Sequence, residues 1–269
     1  MDAQRSLNIT IDDTSPIIRY QPLSLFNLDT VPDPLTGWSP ICGAKTWVCD
    51  DHSAHTTSFD GAKFALSFFG TGIYLFGNVT SGMSYELTID GNGVSNGLNG
   101  NNDTEPQMLA RVSSLKPAVH TLTLVVKKGN SNGLFTFDYA QVIVDSATSF
   151  ERTILNGTSS SRLTYGPAEP QYLQSWSSYG AYNATVPDGV DFNTFKASDL
   201  LGANVYTSFS GNTLLYYGPC YAASGAYTVT IDGSPNSQPV QLNASVPYTP
   251  PRKELDDRAL VGNMELRTR

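Results

Sequence analysis

The sequence predicts an all-β protein built as two tandem antiparallel β-sandwiches, the second of them incomplete. Three observations carry the prediction. Met83, Tyr85, Leu87 and Ile89 alternate strictly with Ser84, Glu86, Thr88 and Asp90, the period-2 mark of a strand with one buried and one wet face. The stretch 68–91 recurs at 209–233, each copy running from a Phe and a Gly-containing turn through an apolar run to a second Gly (Gly77, Gly218) and a strand closed by Ile-Asp-Gly. No convincing helical pattern interrupts the strands, and a half-apolar sheet must bury its dry face against a second sheet.

The first copy opens at 8–20, where β-branched residues broken by Asp-Asp-Thr-Ser-Pro predict two short strands around a turn. Residues 21–60, rich in Pro and Gly breaks and poor in periodicity, read as a wandering surface connection. Regular structure resumes at 61, with Phe64, Leu66 and Phe68 on one face of a strand. The Asp90-Gly91 pair predicts a tight reversal, because both residues tolerate positive φ. An Asn/Gly-rich loop follows at 92–106. In 119–128, His120, Leu122, Leu124 and Val126 share one face and Thr121 and Thr123 the other, and 134–144 supplies a closing aromatic and β-branched strand. About eight strands are expected in this copy.

The second copy follows almost without a linker. Tyr165 answers Tyr20, Trp176 answers Trp38, and 202–211 answers 61–70 at a constant offset of 141. After Gly233 the correspondence ends, so the expected units are 7–147, a C-terminally short 152–248, and a charged tail at 249–269 without fixed structure. Losing closing strands would open sheet edges, so the expectation is a chain truncated or frame-altered after Pro250 or Pro251, or else a partner chain that supplies the missing strands.

The phrases DDTSPIIRY, HTTSFDGAKFALSFFGTGIYLFG, YELTIDG, HTLTLVV and FDYAQVIV resemble a family of surface proteins of mushroom-forming fungi. The resemblance covers 8–145 well and 152–248 less well. It implies tandem jelly-roll modules of the galactose-binding-like superfamily, commonly followed by a Ser/Thr-rich stalk and one membrane-spanning helix. It also makes His55, within HTTSFDGA, a structural position. The sequence itself has no signal-length apolar N-terminus and no 18-residue apolar run, so the expected extracellular or cell-surface setting comes without a membrane span in this chain.

Composition bounds the partners. Only 15% of residues are charged and the net charge is −8, which gives neither nucleic acid nor an anionic membrane an electrostatic foothold. Six Asn-X-Ser/Thr sequons, at Asn8, Asn78, Asn102, Asn156, Asn183 and Asn243, fit a secreted glycoprotein. Cys42, Cys49, His52 and His55 can be read as zinc ligands or, in an oxidising compartment, as a Cys42–Cys49 disulfide beside two unrelated His. The disulfide is the expectation, with no metal and no cofactor.

For ligand contact the sequence offers Trp38, Trp47, Tyr172, Trp176 and Tyr182, aromatics in irregular segments that could stack on a sugar face while Asn, Asp or Gln bond its hydroxyls. For Trp38 and Trp176, equivalent in the two copies, plugging the sandwich end is the competing role. Catalysis finds three His, no Gly-x-Ser-x-Gly elbow and no phosphate loop. A glycosidase needs only two suitably spaced carboxylates, with Asp138 or Glu86 as candidates. The leading expectation is a non-catalytic wall-associated protein that binds cell-wall or surface glycans. A carbohydrate-active hydrolase and a purely adhesive ectodomain stand as alternatives.

Overall fold

The computed structural model describes residues 5–24, 32–41, 53–94, 107–129, 133–146, 162–166, 176–180, 194–208, 214–220, 225–230, 239–243 and 260–266. All regular structure among them is β. The first eleven strands are β1 (Arg5–Asp12), β2 (Ile18–Gln21), β3 (Ser39–Ile41), β4 (Ala54–Thr57), β5 (Lys63–Gly70), β6 (Gly72–Val79), β7 (Met83–Ile89), β8 (Asn92–Val94), β9 (Gln107–Val112), β10 (Ala118–Lys128) and β11 (Phe135–Ser146). They form two antiparallel sheets. One runs β3-β4-β11-β6-β9 with β1 also paired to β11, and the other runs β2-β5-β10-β7-β8. From β4 to β7, and again from β9 to β11, successive strands cross between the sheets, the jelly-roll way of closing a sandwich.

The core lies between the sheets and follows the alternation. Phe64 and Leu66 of β5 pair with Leu124 and Leu122 of β10, Phe68 and Val126 line the same side, and across the sandwich they meet Ile73, Leu75, Phe135, Phe137 and Val142, all buried. Full burial of each such side chain contributes ~1.5–3 kcal/mol. The Asp90-Gly91 reversal forms as expected, with φ of 52° and 77°, so Ile89 pairs with Asn92 in a two-residue hairpin.

Residues 21–60 depart from expectation. Among the described residues, 37–39 and 53–58 are buried rather than part of a surface connection, while Leu23, Leu35, Ile41 and Phe59 are exposed. Trp38 is fully buried, all four residues of β4 are buried, and β3 and β4 extend the larger sheet beside β11. Strands this short carry too few residues for a period to register, and their burial comes from the tertiary neighbours.

Later strands pair two by two: β12 (Leu163–Gly166) with β15 (Asn204–Thr207), β13 (Ser177–Gly180) with β14 (Thr194–Ala197), β16 (Leu214–Cys220) with β19 (Leu260–Leu266), and β17 (Ala226–Val229) with β18 (Val240–Asn243). The first pair repeats the first copy residue for residue. Tyr20 pairs with Phe64 in β2–β5, and Tyr165 pairs with Val205, the residue 141 positions on, in β12–β15. The Tyr–Trp contact recurs too, Tyr20–Trp38 at 5.2 Å between centroids and Tyr165–Trp176 at 5.1 Å. Within the charged tail, residues 260–266 form β19 along β16, the sequence counterpart of β6.

Gly77 sits on the inward face of β6 opposite Phe137, where an added Cβ would meet the Thr136 carbonyl oxygen at 2.1 Å and Leu109 Cδ1 at 2.9 Å. Gly77→Ala must therefore spread β6 from β11. The expected cost is on the order of 1–3 kcal/mol, read in urea as a lower midpoint at an unchanged slope; an unchanged midpoint would refute this packing.

Candidate functional site

Among the described residues of the first copy, three constellations stand out: a sealed polar cluster, a His–Asp pair at a hairpin and an open aromatic face. The sealed cluster stands where β1, β2, β4 and β11 meet. β1 ends at Asp12 and the chain turns through Asp13, Thr14 and Ser15, closed by Ser15 N–H donating to the Asp12 carbonyl at 3.0 Å. Thr14 N–H and Oγ1 both donate to Asp12 Oδ1, the N–H at 2.9 Å. Asp13 is fully buried. Ser53 Oγ donates to its Oδ1, His55 Nδ1 lies 2.6 Å from its Oδ2, and its own N–H reaches the Asp138 carbonyl at 2.9 Å. Tyr20 lies flat on the His55 ring, 4.1 Å away and 10° from parallel, and donates its hydroxyl to the Asp13 carbonyl at 2.9 Å.

Burial sets the electrostatics here. It pushes Asp12 and Asp13 up to about 8, reinforced at Asp12 by the Asp13 charge and at Asp13 by Asp138, and it pushes His55 down to about 3. The pocket thus favours uncharged partners, its protons held on the carboxyl side. Ser, His and Asp are all present, but the carboxyl sits between the hydroxyl and the imidazole. A nucleophilic serine needs the imidazole in the middle to take its proton. Ser53 is bonded to a carboxyl, and the group is closed to solvent, so its chemistry is structural. Asp13→Ala strands His55 and leaves Ser53 only its 3.4 Å bond to Asp12 Oδ1, and is expected to cost on the order of 1–3 kcal/mol in chemical denaturation; a neutral effect would remove the cluster's structural role.

A second His–Asp pair lies at the β7–β8 reversal. His120 Nδ1 is 2.7 Å from Asp90 Oδ2 and Nε2 is 2.8 Å from the Lys116 carbonyl, while Asp90 Oδ1 accepts the Thr121 N–H at 2.8 Å. With both ring nitrogens facing oxygens, only the imidazolium donates to both. Burial alone would lower His120, but the bonds to Asp90 and Lys116 outweigh it and raise it, while the bonds from His120 and Thr121 lower Asp90. A raised His contributes stability below its unfolded value of 6.5 that is lost as pH rises through the folded value. A lowered Asp contributes stability above 3.8 that is lost as pH falls through its folded value. Asp90→Asn keeps the left-handed turn, which Asn tolerates. Thermal melts should therefore show its largest deficit between pH 3.8 and 6.5, narrowing on either side; a pH-independent deficit would contradict the pairing.

The open constellation is the outer face of the larger sheet. Along β6, Ile73 and Leu75 point inward, which turns Tyr74 and Phe76 outward, both half-exposed. Registers place their neighbours in rows. Phe76 faces Tyr139, which in turn faces Asp12, and Tyr74 lies between Arg111 and Gln141, with Thr10 next beyond. Phe76 and Tyr139 stack at 4.4 Å and 15°, and the Arg111 guanidinium lies 5.2 Å from the Tyr74 centroid. The result is a patch of three aromatic rings edged by hydrogen-bonding groups. Neither Tyr74 nor Phe76 was expected as a site residue, because in Ile-Tyr-Leu-Phe both faces are apolar and the period does not tell which one is buried.

The predicted site residues distribute unevenly. Trp38 is core and not a ligand contact: it packs on Tyr20, Phe64 and Phe135, and its Nε1 donates to the Lys63 carbonyl at 3.0 Å. Trp176 is half-buried against Tyr165, its Nε1 donating to the Gly166 carbonyl at 3.0 Å. Trp47, Tyr172, Tyr182, Cys42 and Cys49 lie outside the described residues. So do Asn102, Asn156 and Asn183, whereas Asn8 and Asn243 are exposed and Asn78 half-exposed on strands. Asp138 is half-buried at the β11 bulge opposite β6, and Glu86 is an exposed partner of Lys127 at 3.3 Å. Among the described residues no three His, Cys, Asp or Glu side chains converge as metal ligands, and no helix is long and apolar enough to cross a membrane.

No protein-family model matches the sequence, and no curated protein is significantly similar to it. Among solved structures it is similar to a family two carbohydrate esterase from Cellvibrio japonicus, at 14% identity and a TM-score of 0.35, over 57% of this chain and 38% of the esterase. It is also similar to the CBM36-1 domain of a multidomain xylanase from the hindgut metagenome of Trinervitermes trinervoides. That match has 12% identity and a TM-score of 0.33, over 54% of this chain and 100% of that domain. The Agl-KA catalytic domain is similar at 10% identity and a TM-score of 0.29, over 56% of this chain and 30% of that one. The chain thus spans well under half of the esterase it matches.

Proposed function

We propose that this chain is a non-catalytic glycan-binding protein of an extracellular surface, of the fungal wall-associated kind its sequence resembles. The ligand face in this reading is the outer side of the six-stranded sheet. The observation that supports this reading is the cross-strand row of Tyr74, Phe76 and Tyr139 with Arg111 and Gln141 beside them. Flat rings held on paired strands present apolar faces to a pyranose without ordering a loop, and an amide and a guanidinium alongside can bond its hydroxyls. The composition points the same way. With few charges and a net charge of −8, the chain favours neutral polysaccharide over polyanions. Among the described residues of the first copy, the Ser53–Asp13–His55 set that could suggest catalysis is closed and already bonded internally.

The test is titration of the chain with soluble β-1,3-glucan and with chitin oligosaccharides by calorimetry. Tyr74→Ala and Phe76→Thr should each weaken binding by about tenfold or more, as central aromatic contacts do, with unchanged melting profiles. Trp176→Ala should leave binding intact. Binding that survives both sheet variants, or that is lost with Trp176, would overturn the placement.

A further inference from the structure

The outer face that carries the three rings also carries an attachment point for sugar. Asn78-Val79-Thr80 is a sequon, and Val79 packs inward against the core, so Asn78 points outward on the same side of β6 as Phe76. Residues two apart on a strand share a face at a spacing of about 6.6 Å. Gly77 between them adds no side chain, and the Phe76 ring is already braced from the far strand by Tyr139, at 4.4 Å. Thr80 Oγ1 accepts from the Leu134 N–H at 2.6 Å, fixing the end of β6 and with it the direction in which Asn78 leaves the sheet. Asn8, a second sequon, projects from the same face of β1 one row beyond Thr10 and Gln141, at the opposite end of the patch.

We infer that Asn78 is an N-glycosylation site whose first sugars pack on the Phe76–Tyr139 pair, so that the protein's own glycan occupies the face assigned to external ligand. The inference rests on the reading that these rings take sugar. The N-linked core begins with two β-linked N-acetylglucosamines, the same unit as a chitin oligosaccharide, so attached and free sugar present one chemistry to the rings. Attachment decides between them. A tethered group a few bonds from its site acts at an effective concentration in the millimolar range, above what a weak free oligosaccharide reaches. The glycan at Asn78 therefore stabilises the strand and masks the binding face, and chains lacking it are the binding-competent form.

The experiment uses the full chain secreted from a glycosylating host, as wild type, Asn78→Gln, Phe76→Thr and the double variant, with chitotetraose as the probe. Peptide mass spectrometry should find Asn78 occupied in the wild type. Loss of the glycan should lower the melting temperature in the wild-type background and change it little in the Phe76→Thr background, the non-additivity expected of a contacting pair. Asn78→Gln should bind chitotetraose at least about fivefold more tightly than wild type. An unoccupied Asn78, additive melting shifts, or measurable binding of equal affinity with and without the glycan would each overturn the inference. If instead Asn78→Gln binds no oligosaccharide while the melting shifts remain non-additive, the external-ligand reading fails and with it the masking, but the packing of the glycan on Phe76 stands.

Discussion

The burial of Asp13 is the constraint on which the arrangement of the first sandwich depends. A carboxyl without access to water is costly unless its oxygens are bonded, and here the carboxyl and the main chain of Asp13 are both bonded by groups from other strands. Ser53 and His55 come from β4 and its approach, and Tyr20 comes from β2. The Asp13 N–H reaches β11 through the Asp138 carbonyl. Slipping any of these strands by one residue would leave a buried oxygen unpaired and turn the strand's apolar side chains outward. The cluster therefore specifies register as well as stability. The Tyr20 ring extends that specification, because it covers His55 on one side and leans on Trp38 and Phe64 on the other. Polar lock and aromatic core are one contact surface.

This arrangement also explains why the outer face of the larger sheet is free to carry function. The bulge at Asp138 lets β11 serve two partners on one edge, β4 up to Phe137 and β1 from Tyr139 onward, while β6 holds the other edge. The extra residue re-aims the strand, as bulges do, and Tyr139 arrives opposite Phe76 on the solvent side. Residues that fix the fold point inward or lie at the sandwich end, and residues that meet solvent lie on rigid paired strands. Asp12 touches both regions. It caps the turn that carries Asp13, and by register it stands next to Tyr139. The aromatic face therefore takes its position from the same turn that seals the interior.

How much of this was legible in the sequence depended on whether one face of a strand was polar. β5, β7 and β10 alternate apolar with polar, and their buried residues are the ones the pattern assigns. The Asp90-Gly91 hairpin was legible for a local reason, since few dipeptides accept two positive φ values. β6 gave its existence but not its facing, because Ile73-Tyr74-Leu75-Phe76 is apolar on both sides, and that ambiguity hid the candidate ligand face. β3 and β4 were illegible because three or four residues carry no period, and their burial depends on β11, some 80 positions away. His55 was placed as structural by resemblance, but its partner Asp13 was read as part of a turn. Nothing local in Asp-Asp-Thr-Ser distinguishes an exposed turn from one whose second carboxyl is buried beneath a tyrosine.

The duplication shows which features are tied to the fold and which are tied to the surface. Tyr20 and Trp38 have counterparts in Tyr165 and Trp176 with nearly the same ring separation and with the same strand register beside them. In both copies the indole N–H is spent on a backbone carbonyl, the satisfaction a buried Trp requires. Such a pair serves the sandwich wherever it occurs. The outer face behaves differently. At the offset of 141, Phe76 maps to the aromatic Tyr217 but Tyr74 maps to Leu215, and the sequon at Asn78 maps to Pro219. On the interior side Ile73 maps to Leu214 and Leu75 to Tyr216. The outer face of the first copy, with its paired rings and its sequon, is therefore not repeated in the second, whereas the Tyr–Trp contact is.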